Sequence, residues 1–205
     1  MLKKIFVFAL VLIKINIVFG QGVKLGVHFD PAIVWFQSDV KDVKAGNPDV
    51  GFDFGLSVDR FFARNYAFST GLSLYNIGGT LIYKNGIDDK NTKDKVLYKM
   101  QYIKIPIALK LRTHMIGRFV YSANLGFDPM MRVSAKAEIN KDKVNEEISF
   151  FNMGWHFGIG TSYSLGGEAA ICVGLKFMNT FIDMTPRASD NITSKNLFLC
   201  IGVLF

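Results

Sequence analysis

The sequence predicts an all-β protein, an eight-stranded antiparallel up-and-down transmembrane β-barrel. Three observations carry this expectation. Apolar residues alternate with small or polar ones at period two through segment after segment, up to the last residue. The connections between these segments alternate long and short. Aromatic residues gather at both ends of the segments. The last ten residues are the clearest case. Leu197, Leu199, Ile201, Val203 and Phe205 form one apolar row, and Asn196, Phe198, Cys200, Gly202 and Leu204 form a smaller, mixed one. Period-two alternation is the mark of a strand. A strand of a soluble sandwich would turn a polar face outward, whereas a consistently apolar outer face needs lipid against it.

Length and composition fit one such domain. The chain has 205 residues, 50% of them hydrophobic, with 19 Gly and 19 Phe. Beyond the N-terminus there is no apolar run of the roughly 18 residues that a membrane helix needs, which excludes a helical membrane protein. Residues 1–20 read as a secretory signal peptide, with Lys3 and Lys4 ahead of the apolar stretch Ile5–Ile13 and small residues Val18 and Gly20 before a cut at Gln21. Lys14 interrupts the run too early for an uncleaved anchor, and Gln rather than Cys after the cut argues against a lipoprotein. The barrel domain is then 21–205. Removing Lys3, Lys4 and Lys14, and no acid, takes the formal charge from +7 to +4. No basic stripe of the kind nucleic acid requires is present.

Eight strands follow in order. The first, 22–37, sets Val23, Leu25, Val27 and Phe29 against Lys24, Gly26, His28 and Asp30. After a polar loop, the second, 50–62, alternates Phe52, Phe54, Leu56 and Val58 with Asp53, Gly55, Ser57 and Asp59. A short turn at 63–65 leads to the third, 66–83, where Gly78-Gly79 predicts a bend or bulge. A charged loop, 84–96, precedes the fourth, 97–113, which has the strongest alternation: Ile103, Ile105, Ile107, Leu109 and Leu111 against Lys104, Pro106, Ala108, Lys110 and Arg112. The turn 114–117 leads to the fifth, 118–137, and the charged loop 138–148 to the sixth, 149–164. In the sixth, Phe151, Met153, Trp155, Phe157 and Ile159 oppose Asn152, Gly154, His156, Gly158 and Gly160. The tight turn 165–167 opens the seventh, 168 to about 184, with Ile171, Val173, Leu175 and Phe177 outward. The loop 185–193 precedes the eighth. Phe29-Asp30-Pro31 and Phe127-Asp128-Pro129 recur in strands one and five, and each Pro marks an expected bulge or loosened pairing.

Long and short connections in strict alternation, with an even strand number, match an outer-membrane barrel with tight periplasmic turns and long external loops. Phe61, Phe62, Tyr66, Phe119, Tyr163 and Phe205 lie near the short-turn ends. Trp35, Tyr83, Tyr98, Phe150, Phe151 and Phe181 lie near the long-loop ends. Two aromatic belts fit the two membrane interfaces.

The inward rows predict a lumen charge network of Lys24, Asp30, Asp53, Asp59, Lys104, Lys110, Arg112, Asp128 and Lys176. Eight strands leave an interior that side chains just fill, so mixed charges imply a plug and not a pore. Cys172 and Cys200 are either paired or two small buried thiols. His28 and His156 also face inward, but no nucleophile elbow or other local motif accompanies them, and no catalytic residue is expected. No metal-ligand spacing appears, Asp88 and Asp89 read as solvated loop charges, and no cofactor is expected.

The strand-four segment 98–110 carries a resemblance. Its Tyr102-x-x-Ile105-Pro106-x-x-x-Lys110 pattern, after a charged loop, resembles the PorT-type outer-membrane barrel family of Bacteroidetes. The glycine-rich strands and the signal ending before Gln are similar as well. The resemblance implies a Gram-negative, Bacteroidetes outer membrane, with some members similar to accessory parts of the type IX secretion apparatus. The expected function is therefore a monomeric structural or interaction protein in contact with outer-membrane lipid and lipopolysaccharide, with secretion-apparatus proteins as partners. Two alternatives stay open: a small pore or lipid-acting outer-membrane enzyme, and a soluble lipocalin-like carrier.

Overall fold

The computed structural model describes residues 22–39, 43–83, 94–139, 142–144, 148–184 and 192–205. The expected signal peptide, 1–20, and Asp88 and Asp89 lie outside the described residues. Among the described residues eleven strands form in chain order: β1 (Val23–Ser38), β2 (Val43–Ala45), β3 (Asp49–Ala63), β4 (Tyr66–Tyr83), β5 (Asp94–Lys104), β6 (Ile107–Arg112), β7 (Phe119–Ile139), β8 (Asp142–Val144), β9 (Phe151–Gly166), β10 (Ala169–Thr180) and β11 (Ile192–Leu204).

Eight positions close into an antiparallel ring. Its order is β1, β3, β4, then β5 with β6, then β7, β9, β10, β11 and back to β1. β5 and β6 are one predicted strand broken at Ile105-Pro106, because proline has no N–H to give the ladder. Both halves pair with β4 and β7, and Ile105 still donates its N–H to the carbonyl of Pro129 at 3.0 Å. The short β2 and β8 lie within predicted loops and extend the hairpins on β4 and β7 at the long-loop end. The seam is shut by Leu25 and Phe205, which exchange both backbone hydrogen bonds at 3.0 and 2.9 Å.

Side-chain parity holds around the ring. Leu56, Phe68, Leu125, Phe157 and Leu175 are exposed on the outer face, while Asp53, Ser73, Lys104, Asp128 and His156 are buried within. An apolar outer surface of this extent excludes the soluble carrier, which would present it to water.

Two local expectations are corrected, at Gly78-Gly79 and in the aromatic belts, while the two Asp-Pro sites show the expected loosened pairing without a bulge. Gly78-Gly79 makes no bulge: β4 pairs with β5 without a break from Ser73↔Lys104 to Tyr83↔Asp94. The glycines provide room instead, since a Cβ on Gly79 would meet the Phe36 ring at 2.5 Å. The irregularity lies next door, where Tyr102 pairs with Arg132 but Gln101 with Ser134, leaving Val133 as the extra residue of β7. Neither Asp-Pro site shifts the register. β1 runs through Pro31 against β3, and β7 runs through Pro129 against β9. Between β1 and β11 the ladder lapses around Pro31, and there the Asp30 carboxylate accepts the N–H of Ile201 at 3.2 Å. Two belt residues also turn inward. Tyr98 is buried in the lumen, and Phe61 lies under Arg112.

Leu125, midway along the outer row of β7, tests the lipid-facing assignment. Leu125→Arg should destabilise the barrel by about 2–4 kcal/mol in bilayers, the cost of a cation near the midplane. Urea titration of vesicle-reconstituted protein measures it, and an unchanged midpoint would place this face outside the hydrocarbon.

Candidate functional site

The register of β1 and β3 sets the problem that the lumen solves. Asp30 and Asp53 are directly opposite each other, both inward and both buried. Two carboxylates side by side repel and cannot stay charged there without cations. The cations come from both sides. Lys104 on β5 forms a short ion pair with Asp53, and Lys176 on β10 reaches Asp30 at 3.0 Å and Asp53 at 3.4 Å. His28 Nε2 stands 3.9 Å from the same Asp53 oxygen. Asp128 on β7 is hydrogen bonded to His156 Nδ1 on β9 at 2.8 Å.

Nearer the short turns a second group forms. Asp59 receives Lys110 at 2.5 Å and the Ser69 hydroxyl at 2.6 Å. Seven of the nine predicted network residues are thus joined to an opposite charge or, for Asp128, to a histidine. Arg112 and Lys24 are the exceptions. Arg112 sits at the short-turn mouth, its guanidinium 3.8 Å from the centre of the Phe61 ring and its Nε donating to the Arg64 carbonyl at 3.2 Å. Lys24 lines the same mouth with Glu168 and makes no ion pair among the described residues. A cavity of about 170 Å³, lined by His28, Ser57, Ser73, Asn124, Lys104, Lys110 and Lys176, lies between the two groups.

Toward the long-loop end the lumen changes character, and sequence reasoning missed this. Phe198 and Tyr75 pack with ring centroids 5.9 Å apart, and Tyr102 lies 6.4 Å from Tyr75. The ammonium of Lys176 is 4.6 Å from the Phe198 ring, and that of Lys104 is 5.1 Å from Tyr75, both within cation–π range. Beyond this layer Val34, Phe36, Ile77, Leu81, Met130 and Met178 fill the barrel as an apolar core. The plug is therefore ionic below and aromatic and aliphatic above. The signal was present, because the inward row of the first strand reads Ala32, Val34 and Phe36 after Asp30.

The two cysteines are free thiols. The register sets Cys172 opposite Gly202 and Cys200 opposite Gly174, and the Cys172 thiol donates to Ser162 at 3.3 Å. His28, Asp30 and Asp53 place ligand atoms within 4.8 Å of one another. Lys104 and Lys176 already hold those carboxylates, and a metal cation would sit against two ammonium groups, so the set fits ion pairs better than a metal.

With closed ring, lipid-facing girdle and filled lumen in place, comparison with known proteins is decisive for the family. The model of the outer membrane protein beta-barrel domain matches residues 16–185. The chain belongs to this family. The outer-membrane barrel is also similar in fold to OprG from Pseudomonas aeruginosa, at 12% identity and a TM-score of 0.55, covering 90% of this chain and 96% of OprG. Neisserial surface protein A is similar too, at 14% identity and a TM-score of 0.52, covering 88% and 95% of the two chains. No curated protein matches by sequence.

The ion pairs generate a test. Asp53→Ala leaves the buried Lys104 ammonium without its carboxylate, and Lys176 with Asp30 alone, and should cost about 3–5 kcal/mol. Removing charge from both sides, in Asp53→Leu with Lys104→Met, should recover part of the loss. Urea unfolding of the reconstituted barrels compares the three proteins, and a double variant no more stable than Asp53→Ala would contradict the pairing.

Proposed function

We propose that this outer-membrane barrel is a closed structural and docking protein, monomeric and without catalytic activity, that serves as an accessory of protein secretion. In this reading the long connections face outward and the short turns face the periplasm. The single supporting observation is the filled lumen. Ion pairs from β1, β3, β5 and β10 lie beneath an aromatic and aliphatic layer, so the surfaces remain as the working parts. The secretion assignment rests on the resemblance of the strand-four segment to PorT-type barrels, and a Bacteroidetes source on the same resemblance.

One observation bears on the lipid-acting alternative. The His156–Asp128 pair is half of an acyl-transfer triad, a base with its orienting acid. Among the described residues no hydroxyl or thiol is hydrogen bonded to His156, which leaves that base without a nucleophile.

Planar-bilayer recording should show no steady conductance from the purified full-length protein, and reproducible ohmic steps would refute a closed barrel. Pull-down from mildly solubilised outer membranes, with the tag in the second long loop, should recover periplasmic or membrane secretion components. Recovery of the barrel alone would remove the docking role.

A further inference from the structure

The outer apolar rows end at a definite height. Along β6 and β5 the row Ile107, Ile105, Ile103 gives way to Gln101, Lys99, Leu97 and Lys95, and on β7 the row Phe127, Met131, Val133 gives way to Ser134 and Lys136. The change falls at the long-loop end, where the hydrocarbon stops and headgroups begin. At this height the register puts Lys99 directly opposite Lys136, with Gln101 opposite Ser134. Both lysines are exposed on the outer face. Facing residues on neighbouring strands have Cβ atoms about 4.5–5.5 Å apart, so two ammonium groups here repel unless an anion lies between them. Neither lysine makes an ion pair among the described residues.

The surroundings form a seat beside the lysines. A groove of about 390 Å³ runs across β3, β4, β5 and β7, lined by Asn76, Gly78, Lys99, Gln101, Ser134 and Lys136. The Gln101 amide donates to Asn76 Oδ1 at 3.0 Å, and the Asn76 amide nitrogen is a buried donor with no partner of its own. Gly78 keeps the floor low, as a Cβ there would meet the Asp49 carboxylate at 2.5 Å. That carboxylate reaches from β3 over Gly78, the cross-strand neighbour of Lys99, and its Oδ1 already accepts the N–H of Val50 at 2.8 Å. Two ammonium groups, an unpaired amide donor and a hydroxyl at headgroup height make a receptor for a phosphate with several acceptor oxygens.

We propose that Lys99 and Lys136 clamp a phosphate of lipopolysaccharide in the outer leaflet, with the Asn76 amide completing the site and the acyl chains lying along the girdle below. The proposal rests on the orientation given under Proposed function, and its occupant is the phosphorylated lipid of that leaflet. A free anion would share the chemistry but not the acyl chains that hold the headgroup at this height, and an ordinary phospholipid would lay fewer chains along the girdle.

The test uses the full-length barrel reconstituted in phosphatidylcholine vesicles doped with bis-phosphorylated lipid A, dephosphorylated lipid A or phosphatidylglycerol. Lipid co-purifying after mild extraction is quantified by mass spectrometry. Wild type should retain bis-phosphorylated lipid A above the other two. K99Q/K136Q should lower that retention about tenfold or more, while K195Q, at an exposed lysine of β11 elsewhere on the rim, should not. Equal retention by wild type and K99Q/K136Q, or of lipid A without its phosphates, would overturn the site. Equal retention of phosphatidylglycerol would overturn the lipopolysaccharide assignment. Orientation is read separately, by labelling Lys99→Cys in intact cells with a membrane-impermeant maleimide. Reaction from outside supports the outer-leaflet placement, and reaction only after the outer membrane is opened would overturn it while leaving the vesicle ratios as they are.

Discussion

A strand in lipid has no water to satisfy its N–H and C=O groups, so this sheet has to close on itself. The pairing of β1 with β11, sealed by Leu25 and Phe205, is that closure. Much else follows from it. A closed ring gives every strand one outer and one inner row. The outer row meets hydrocarbon and has to be apolar, and the inner row has to fill a space that eight strands leave barely wide enough for side chains. The lapse at Pro31 shows how strict the demand is. Where the ladder between β1 and β11 loosens, the Asp30 carboxylate takes up the N–H of Ile201.

The interior is filled by two different physical solutions stacked along one axis. The lower solution is electrostatic. Asp30 and Asp53 are forced together by register, and Lys104 and Lys176 come from strands on either side of them to meet both. The upper solution is steric. Phe198, Tyr75 and Tyr102 roof the ammonium groups, and methionines and branched aliphatics close the space above. The roof also keeps water from the upper side of the ion pairs, which strengthens them. A half-satisfied version of either part would be costly, as a buried charge without its partner loses far more than the pair gains.

The fold was legible in the sequence because period two is robust. A residue such as Ile103 or Lys104 keeps its face whatever its neighbours do, so nearly every inward and outward assignment along the eight strands stood. What failed were inferences from single residues. Gly78-Gly79 reads as a bend or bulge, but glycine in a narrow barrel can equally leave space for a ring from the next strands, here Phe36. The true irregularity, at Val133, has no glycine or proline to announce it. Of the candidate network, Lys24 and Arg112 were drawn in by parity alone, yet they lie at the mouth. Height along the barrel depends on strand tilt and stagger, which parity does not encode. The apolar half of the plug was overlooked because charged inward residues were read as the whole lumen.

The ion pairs also bear on how the barrel is made. Asp30 and Asp53 lie in the first two long strands, whereas Lys176 lies in β10, next to last in the chain. A partly assembled sheet that holds β1 and β3 but not yet β10 carries two facing carboxylates with only Lys104 to answer them. An open sheet that holds β1 and β3 without β10 is therefore penalised at Asp30 and Asp53, and the penalty lifts when β10 is in place. The lumen network thus favours concerted closure, discriminating between a complete ring and one that has stopped short.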